Sequence, residues 1–195
     1  MKFVWLASFL ILASFPSLRV QAQTSSVQVE GIISRVTDKL WNQNEIYWHH
    51  GDYPRIIALD RIITQTDPTF VECYATGGWL MESLGNLDDA EAYYMQGVAR
   101  NPRVSYAYWN LGFFYFSTRH DYPEASRILK MDTAERGADI NDWKMLAHSY
   151  EKMGDWNDAV ATWKQIAVRW PKGLSVDRLL HRALDHQRSA GTTPL

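Results

Sequence analysis

The chain has 195 residues, 20 basic and 22 acidic side chains, a formal charge of −2 and a single Cys. A hydrophobic share of 46%, with nine Trp, ten Tyr and seven Phe, excludes a wholly disordered chain, because that much aromatic surface does not stay solvated. The near-neutral charge argues against a general nucleic-acid binder, which needs a basic face. One Cys excludes a disulfide framework and an all-Cys metal site.

Residues 1–22 follow the pattern of a secretory signal peptide. Lys2 is a minimal cationic start, Phe3 to Phe15 is an uncharged apolar run, Pro16-Ser17 breaks it, and Val20-Gln21-Ala22 presents small residues for cleavage before Gln23. An apolar helix of this length reaches about 20 Å, short of a hydrocarbon core of roughly 30 Å, which favours cleavage over the alternative of an uncleaved anchor. The remainder has no long apolar run. The expectation is an exported chain, periplasmic or secreted, with no membrane span once the leader is gone. Residues 23–36 lead into the first helix: 23–28 are polar and expected to be disordered, and Ile32, Ile33, Val36 and Leu40 take up helical spacing from near Gln28.

A period of about 34 residues then runs through the chain. Asn44, Gly78, Gly112 and Ala147 lie 34, 34 and 35 apart, and Ile56, Ala90, Ala125 and Ala159 lie 34, 35 and 34 apart. Tyr47, Met81, Tyr115 and Tyr150 keep the same register. The extra residue therefore falls between Tyr115 and Ala125, and is expected in the turn Ser117–Asp121, where an insertion costs little. Each unit reads as a helix, a turn such as Gly51-Asp52, Gly85-Asn86 or Gly154-Asp155, and a second helix that stops before Pro. Asp52, Asp121 and Asp155 are placed to cap the second helices. The small residues at the Gly78 and Ala90 positions let paired helices approach. The units span 37–70, 71–104, 105–139 and 140–173. After Pro171, Val176, Leu179, Leu180, Ala183 and Leu184 mark an amphipathic helix over 172–188 that covers the last apolar edge, and 189–195 reads as a loose tail.

This pattern resembles the tetratricopeptide repeat (TPR) family. The fourth unit carries the resemblance best, in Trp143, Leu146-Ala147, Tyr150, Gly154-Asp155-Trp156, Ala159, Trp163 and Pro171. It implies an all-α, right-handed solenoid of four helix pairs plus the capping helix. The first unit departs from the family pattern at Gln43-Asn44 and at Asp60, where a large apolar residue is common. In the family the first helix of each pair lines a concave groove. The corresponding positions here hold Asp38, Trp41, Glu45, Trp48 and His49; Glu72, Ala75, Trp79, Glu82 and Ser83; Tyr106, Trp109, Phe113, Phe116 and Ser117; and Asn141, Lys144, His148, Glu151 and Lys152. Eleven other aromatics, Tyr47, Tyr53, Tyr74, Tyr94, Tyr108, Tyr115, Tyr122, Trp143, Tyr150, Trp156 and Trp163, occupy packing slots of the repeat. Packing does not need the groove aromatics, and an exposed aromatic patch marks an interaction site.

The acidic residues Asp38, Glu45, Glu72 and Glu82 set the first half of the groove against Lys144 and Lys152 in the last, which favours a protein or peptide partner with basic and aromatic residues. A carboxylate clamp of the kind found in some co-chaperones of the family is rejected. The matching positions hold Trp41, Glu45, Thr76, Tyr106 and Asn110, and only Asn110 is usefully polar. The alternatives are that the patch mediates self-association, or that its groove is filled by the chain itself. An enzyme is disfavoured: no phosphate loop, dinucleotide fingerprint, nucleophile elbow or zinc-protease motif is present. No cofactor or metal is expected. His49 and His50 point to different faces of a helix, and the pair His181 and Asp185 lacks a third ligand. Cys73 reads as a buried thiol, with an intermolecular disulfide as the alternative.

Overall fold

The computed structural model describes residues 16–191; the first fifteen residues of the expected leader and the last four of the expected tail lie outside the described residues. Among those described there are nine α-helices and no strand: α1 (Pro16–His49), α2 (Tyr53–Thr66), α3 (Val71–Ser83), α4 (Leu87–Arg100), α5 (Ser105–Phe114), α6 (Tyr122–Asp132), α7 (Ile140–Met153), α8 (Trp156–Arg169) and α9 (Val176–Gly191). Each helix packs on its neighbours in sequence, so the pairs stack into an all-α solenoid. No described helix is long and apolar enough to cross a membrane.

The joints between paired helices share one backbone device. Gly51, Gly85 and Gly154 adopt positive φ, and the following N–H bonds back to the helix: Asp52 to Tyr47, Asn86 to Met81 and Asp155 to Tyr150, each at 2.9 Å. In the third unit the equivalent bond runs from Asp121 to Tyr115, also at 2.9 Å, across one more residue. That residue is absorbed in a π-helical turn, Tyr115–Arg119, that extends α5. The insertion thus widens the end of a helix rather than the turn after it, as single-residue insertions into helices do. His120 takes the left-handed role that Gly fills elsewhere, with φ of 53°. Asp52, Asp121 and Asp155 cap α2, α6 and α8 by accepting from Arg55, Glu124 and Asp158 N–H groups.

Helix contact is close where side chains are small. Ala90, Ala125, Ala147 and Ala159 are all fully buried. A Cβ added to Gly78 would lie 2.5 Å from the Tyr94 ring, so α3 and α4 meet with no room for a methyl group. One core runs from Tyr74 to Ala159 through the second, third and fourth pairs. A second, built on Trp143, Trp163 and Ile166, is closed by Val176 and Ala183 of α9. Glu151 ties these last helices together: Trp163 Nε1 donates to it at 2.9 Å, and His148 and Arg182 bind it at 2.8 and 2.7 Å.

Two expected boundaries are corrected. Residues 23–28 are helical, and α1 begins at Pro16 rather than near Gln28. Nothing between Pro16 and Gly51 breaks a helix except the tolerated Gly31, and Pro is well placed at a first helical position. Residues 189–191, assigned to a loose tail, continue α9. Of the aromatics given to packing slots, Tyr53 is exposed and Tyr47, Tyr122 and Trp156 are half-buried, while the other seven are buried.

Candidate functional site

The groove is built from the inner face of α1, α3 and α5. Alternate turns of each helix point the same way, and three helices side by side turn single residues into a continuous surface. Trp48, Trp79, Tyr106, Trp109 and Phe113, from three different helices, line one cavity of about 340 Å³ together with Ala75, Thr76, Glu82, Tyr94 and Asn110. The indoles of Trp48 and Trp79 stack with centroids 5.9 Å apart, and Trp109 stacks on Phe113 at 5.8 Å. Trp79 keeps 50% of its surface exposed, Tyr106 47%, Trp48 43% and Phe113 42%.

Two further cavities continue the groove. Trp48 and Thr76 also belong to one of about 430 Å³ with Trp41, Asn42, Asn44, Glu45 and Ile56. At the other end Tyr106 and Trp109 join Ser105, Gly137, Asp139, Asn141 and Asp142 around about 300 Å³. The three cavities carry the carboxylates of Glu45, Glu82, Asp139 and Asp142 and no Lys or Arg. Glu82 is held by the Tyr94 hydroxyl, which donates at 3.4 Å, and by the Thr118 hydroxyl. The π-turn therefore braces the groove wall; its Arg119 also reaches back to Asp88 and Glu91 at 2.5 and 2.7 Å.

Not every expected groove residue lines these cavities. Asp38 and Glu72 are exposed outside them. Phe116 turns to Tyr122, at 5.5 Å, and to the core; the widened turn shifts the phase of residues after Phe114. His148 is spent on Glu151 and sets its ring edge-on to Trp163 at 5.2 Å. Lys144 lies half-buried on the same helix, away from all three cavities. Trp41 packs on Phe70 at 5.2 Å while still facing the groove. Asn110 gives its Nδ2 to the carbonyl of Tyr106 on its own helix, at 2.5 Å.

Behind the groove lie buried carboxylates that the motif reading did not connect with it. Asp60 is fully buried and accepts from Asn44 Nδ2 at 2.7 Å. Burial pushes its carboxyl up to about 7, against hydrogen bonds from Cys73 and Asn44 that hold it down. The two departures of the first unit are thus partners across one hydrogen bond. Asp132, fully buried, receives the Ser105 hydroxyl at 2.5 Å. Burial raises it to about 7, opposed by the Ser105 bond and reinforced by the charges of Asp142, Asp139 and Glu135. Cys73 is fully buried beside Asp60, and burial pushes its thiol up, as for an inert thiol.

No protein-family model and no curated protein matches the chain. Solved structures do. A MamA protein aligns with a TM-score of 0.64 and 18% identity over 79% of this chain and 84% of that one. PilF of Pseudomonas aeruginosa gives 0.63 and 16% over 80% and 71%. A thermophilic TPR protein of Thermus thermophilus gives 0.56 and 17% over 86% and 96%. At these identities the likeness speaks for architecture, and it agrees with the helix pairs and their 34-residue spacing: the chain has the fold of the tetratricopeptide-repeat proteins.

Proposed function

We propose that the protein is an exported, non-enzymatic scaffold that holds a segment of a protein or peptide partner in this aromatic, acid-lined groove. The observation that carries the reading is the convergence of Trp48, Trp79, Tyr106, Trp109 and Phe113 on one cavity, four of them with about half their surface exposed and Trp109 also packed against the core. Large aromatics on rigid elements bind by burying area at little ordering cost. The surrounding carboxylates, without a cation among them, favour a basic and aromatic segment. Export rests on the apolar run Phe3 to Phe15 and the small residues before Gln23, and N-terminal sequencing of the exported chain is expected to begin at Gln23.

The test of the groove is the double variant Trp79→Ala/Trp109→Ala. Each truncation of such an anchor costs about 2 kcal/mol or more, about thirtyfold in affinity. Partner capture by crosslinking from the groove is expected to vanish while the far-ultraviolet circular dichroism stays unchanged. Undiminished capture by the double variant refutes the reading. A second reading, self-association, is favoured by the exposed Val27, Val29, Ile32 and Val36 of α1. Light scattering of the chain from Gln23 onward decides it: a monomer at tens of micromolar removes it.

A further inference from the structure

The groove end between α1 and α3 has features that an aromatic docking surface alone does not require. Trp41 and Trp48 are seven residues, two turns, apart on α1, so they stand on one face of that helix with their Cα atoms about 10 Å apart along its axis. Glu45 lies between them, four residues after one and three before the other, and shares their cavity. Its carboxylate is 73% exposed, and its His49 contact at 3.1 Å joins two exposed side chains; a pair of this kind contributes little and yields to a competing cation. Asn44 lines the same cavity and is 7% exposed. Its Nδ2 is spent on Asp60, while its Oδ1 has no partner. That oxygen is closed off from solvent, so Asn44 forms part of the cavity floor and leaves Glu45 as the acceptor a ligand can reach.

We propose that this cavity is the anchor point for one arginine side chain of the partner, with the guanidinium against the Trp41 and Trp48 indoles and donating to Glu45. The inference rests on the groove reading above and deepens it by naming the group recognised. Charge complementarity selects a cation, since carboxylates line the groove and no Lys or Arg does. Among cations, a planar guanidinium stacks on indole faces and can meet a carboxylate with two N–H groups at once, which a compact ammonium does less well. An apolar side chain in the same place would desolvate Glu45 without pairing its charge.

The test uses two peptides on the chain from Gln23 onward: acetyl-Gly-Phe-Arg-Phe-Gly-amide and the same peptide with citrulline in place of arginine. Citrulline keeps the planar shape and the remaining N–H donors, but a carbonyl oxygen replaces one NH2 of the guanidinium and the charge is lost. Binding is followed through the indole N–H resonances of Trp41, Trp48, Trp79 and Trp109. The expected result is saturable movement of the Trp41 and Trp48 signals by the arginine peptide and at least about tenfold weaker binding of the citrulline peptide. Glu45→Gln, at an exposed position, should bring the arginine peptide down to the citrulline level with helicity unchanged. Equal affinity of the two peptides, or an arginine effect that survives Glu45→Gln, overturns the anchor and leaves the groove reading standing. So do arginine-dependent shifts confined to Trp109. Shifts at Trp41 and Trp48 alone, with Trp79 and Trp109 silent, support the anchor and count against the wider groove. No movement of any indole overturns both.

Discussion

Asp60→Asn isolates what a buried carboxyl does to the first helix pair. The native side chain has no exposed surface; its Oδ1 accepts from Asn44 Nδ2 at 2.7 Å, and the Cys73 thiol lies against the carboxyl. Burial raises its pKa from 3.8 to about 7. A raised folded pKa means that the folded state holds a proton which the unfolded chain releases between about pH 4 and pH 7. The stability associated with this group is therefore fully present below pH 4, is lost as pH rises through that window, and is flat above it. About three units at 1.36 kcal/mol each set the span at no more than about 4 kcal/mol. Asparagine is nearly isosteric and carries no titration, and its amide can still pair with Asn44. Urea unfolding at half-unit steps from pH 4 to pH 8 reads the difference between variant and native chain. The Asp132 contribution is common to both and cancels. The variant should gain on the native chain with a slope approaching 1.4 kcal/mol per unit between pH 4 and 7 and should be the more stable at pH 8. Parallel curves, or a variant less stable at pH 8 than at pH 4 relative to native, refute the burial argument.

Other outcomes follow from the helix joints. Gly78→Ala places a methyl group 2.5 Å from the Tyr94 ring and should destabilise the chain by about 1–3 kcal/mol; an unchanged urea midpoint would mean that α3 and α4 separate freely. His120→Gly relieves a positive φ of 53° and should add about 0.5–1 kcal/mol, the αL cost less the entropy of a new Gly, read as a raised Tm. A lower Tm would show that the His120 contact with Tyr122, at 6.2 Å, outweighs the backbone strain.

Periodicity made the solenoid legible because the demands of pairing repeat: Ala90, Ala125 and Ala159 have no exposed surface, and Asp52, Asp121 and Asp155 each hold the N–H three residues on. The aromatic groove was readable for the same reason, as large side chains left over once every packing slot was filled. What was missed is not periodic. Residues 23–28 have no apolar face, so hydrophobic spacing says nothing about them, and their helicity comes from the absence of a breaker. The inserted residue was bounded between Tyr115 and Ala125, but whether a turn or a helix end takes it up is decided by packing; the π-turn then carried Phe116 out of the groove. Asn44 and Asp60, sixteen residues apart on two helices, each look like a defect in the repeat. Only the fold makes them partners.

The groove therefore differs in kind from the core beneath it. The core is complete without Trp79, Tyr106 or Phe113, and each leaves roughly half its surface in water. A partner that covers them gains apolar burial. The side chains it meets stand on helices already fixed by their neighbours, and Glu82 at the wall is fixed by Thr118 and Tyr94. The entropy of ordering then falls almost wholly on the partner. Affinity should accordingly respond more to stiffening the bound segment than to stiffening the scaffold. A cyclised or proline-constrained version of the arginine peptide that preserves its bound shape should bind more tightly than the linear one. His120→Gly, which relieves backbone strain at a joint outside the contact surface, should leave affinity unchanged within about twofold. If the stabilised scaffold binds the linear peptide markedly better, the groove is not preformed, and recognition includes an ordering of α5 and its π-turn.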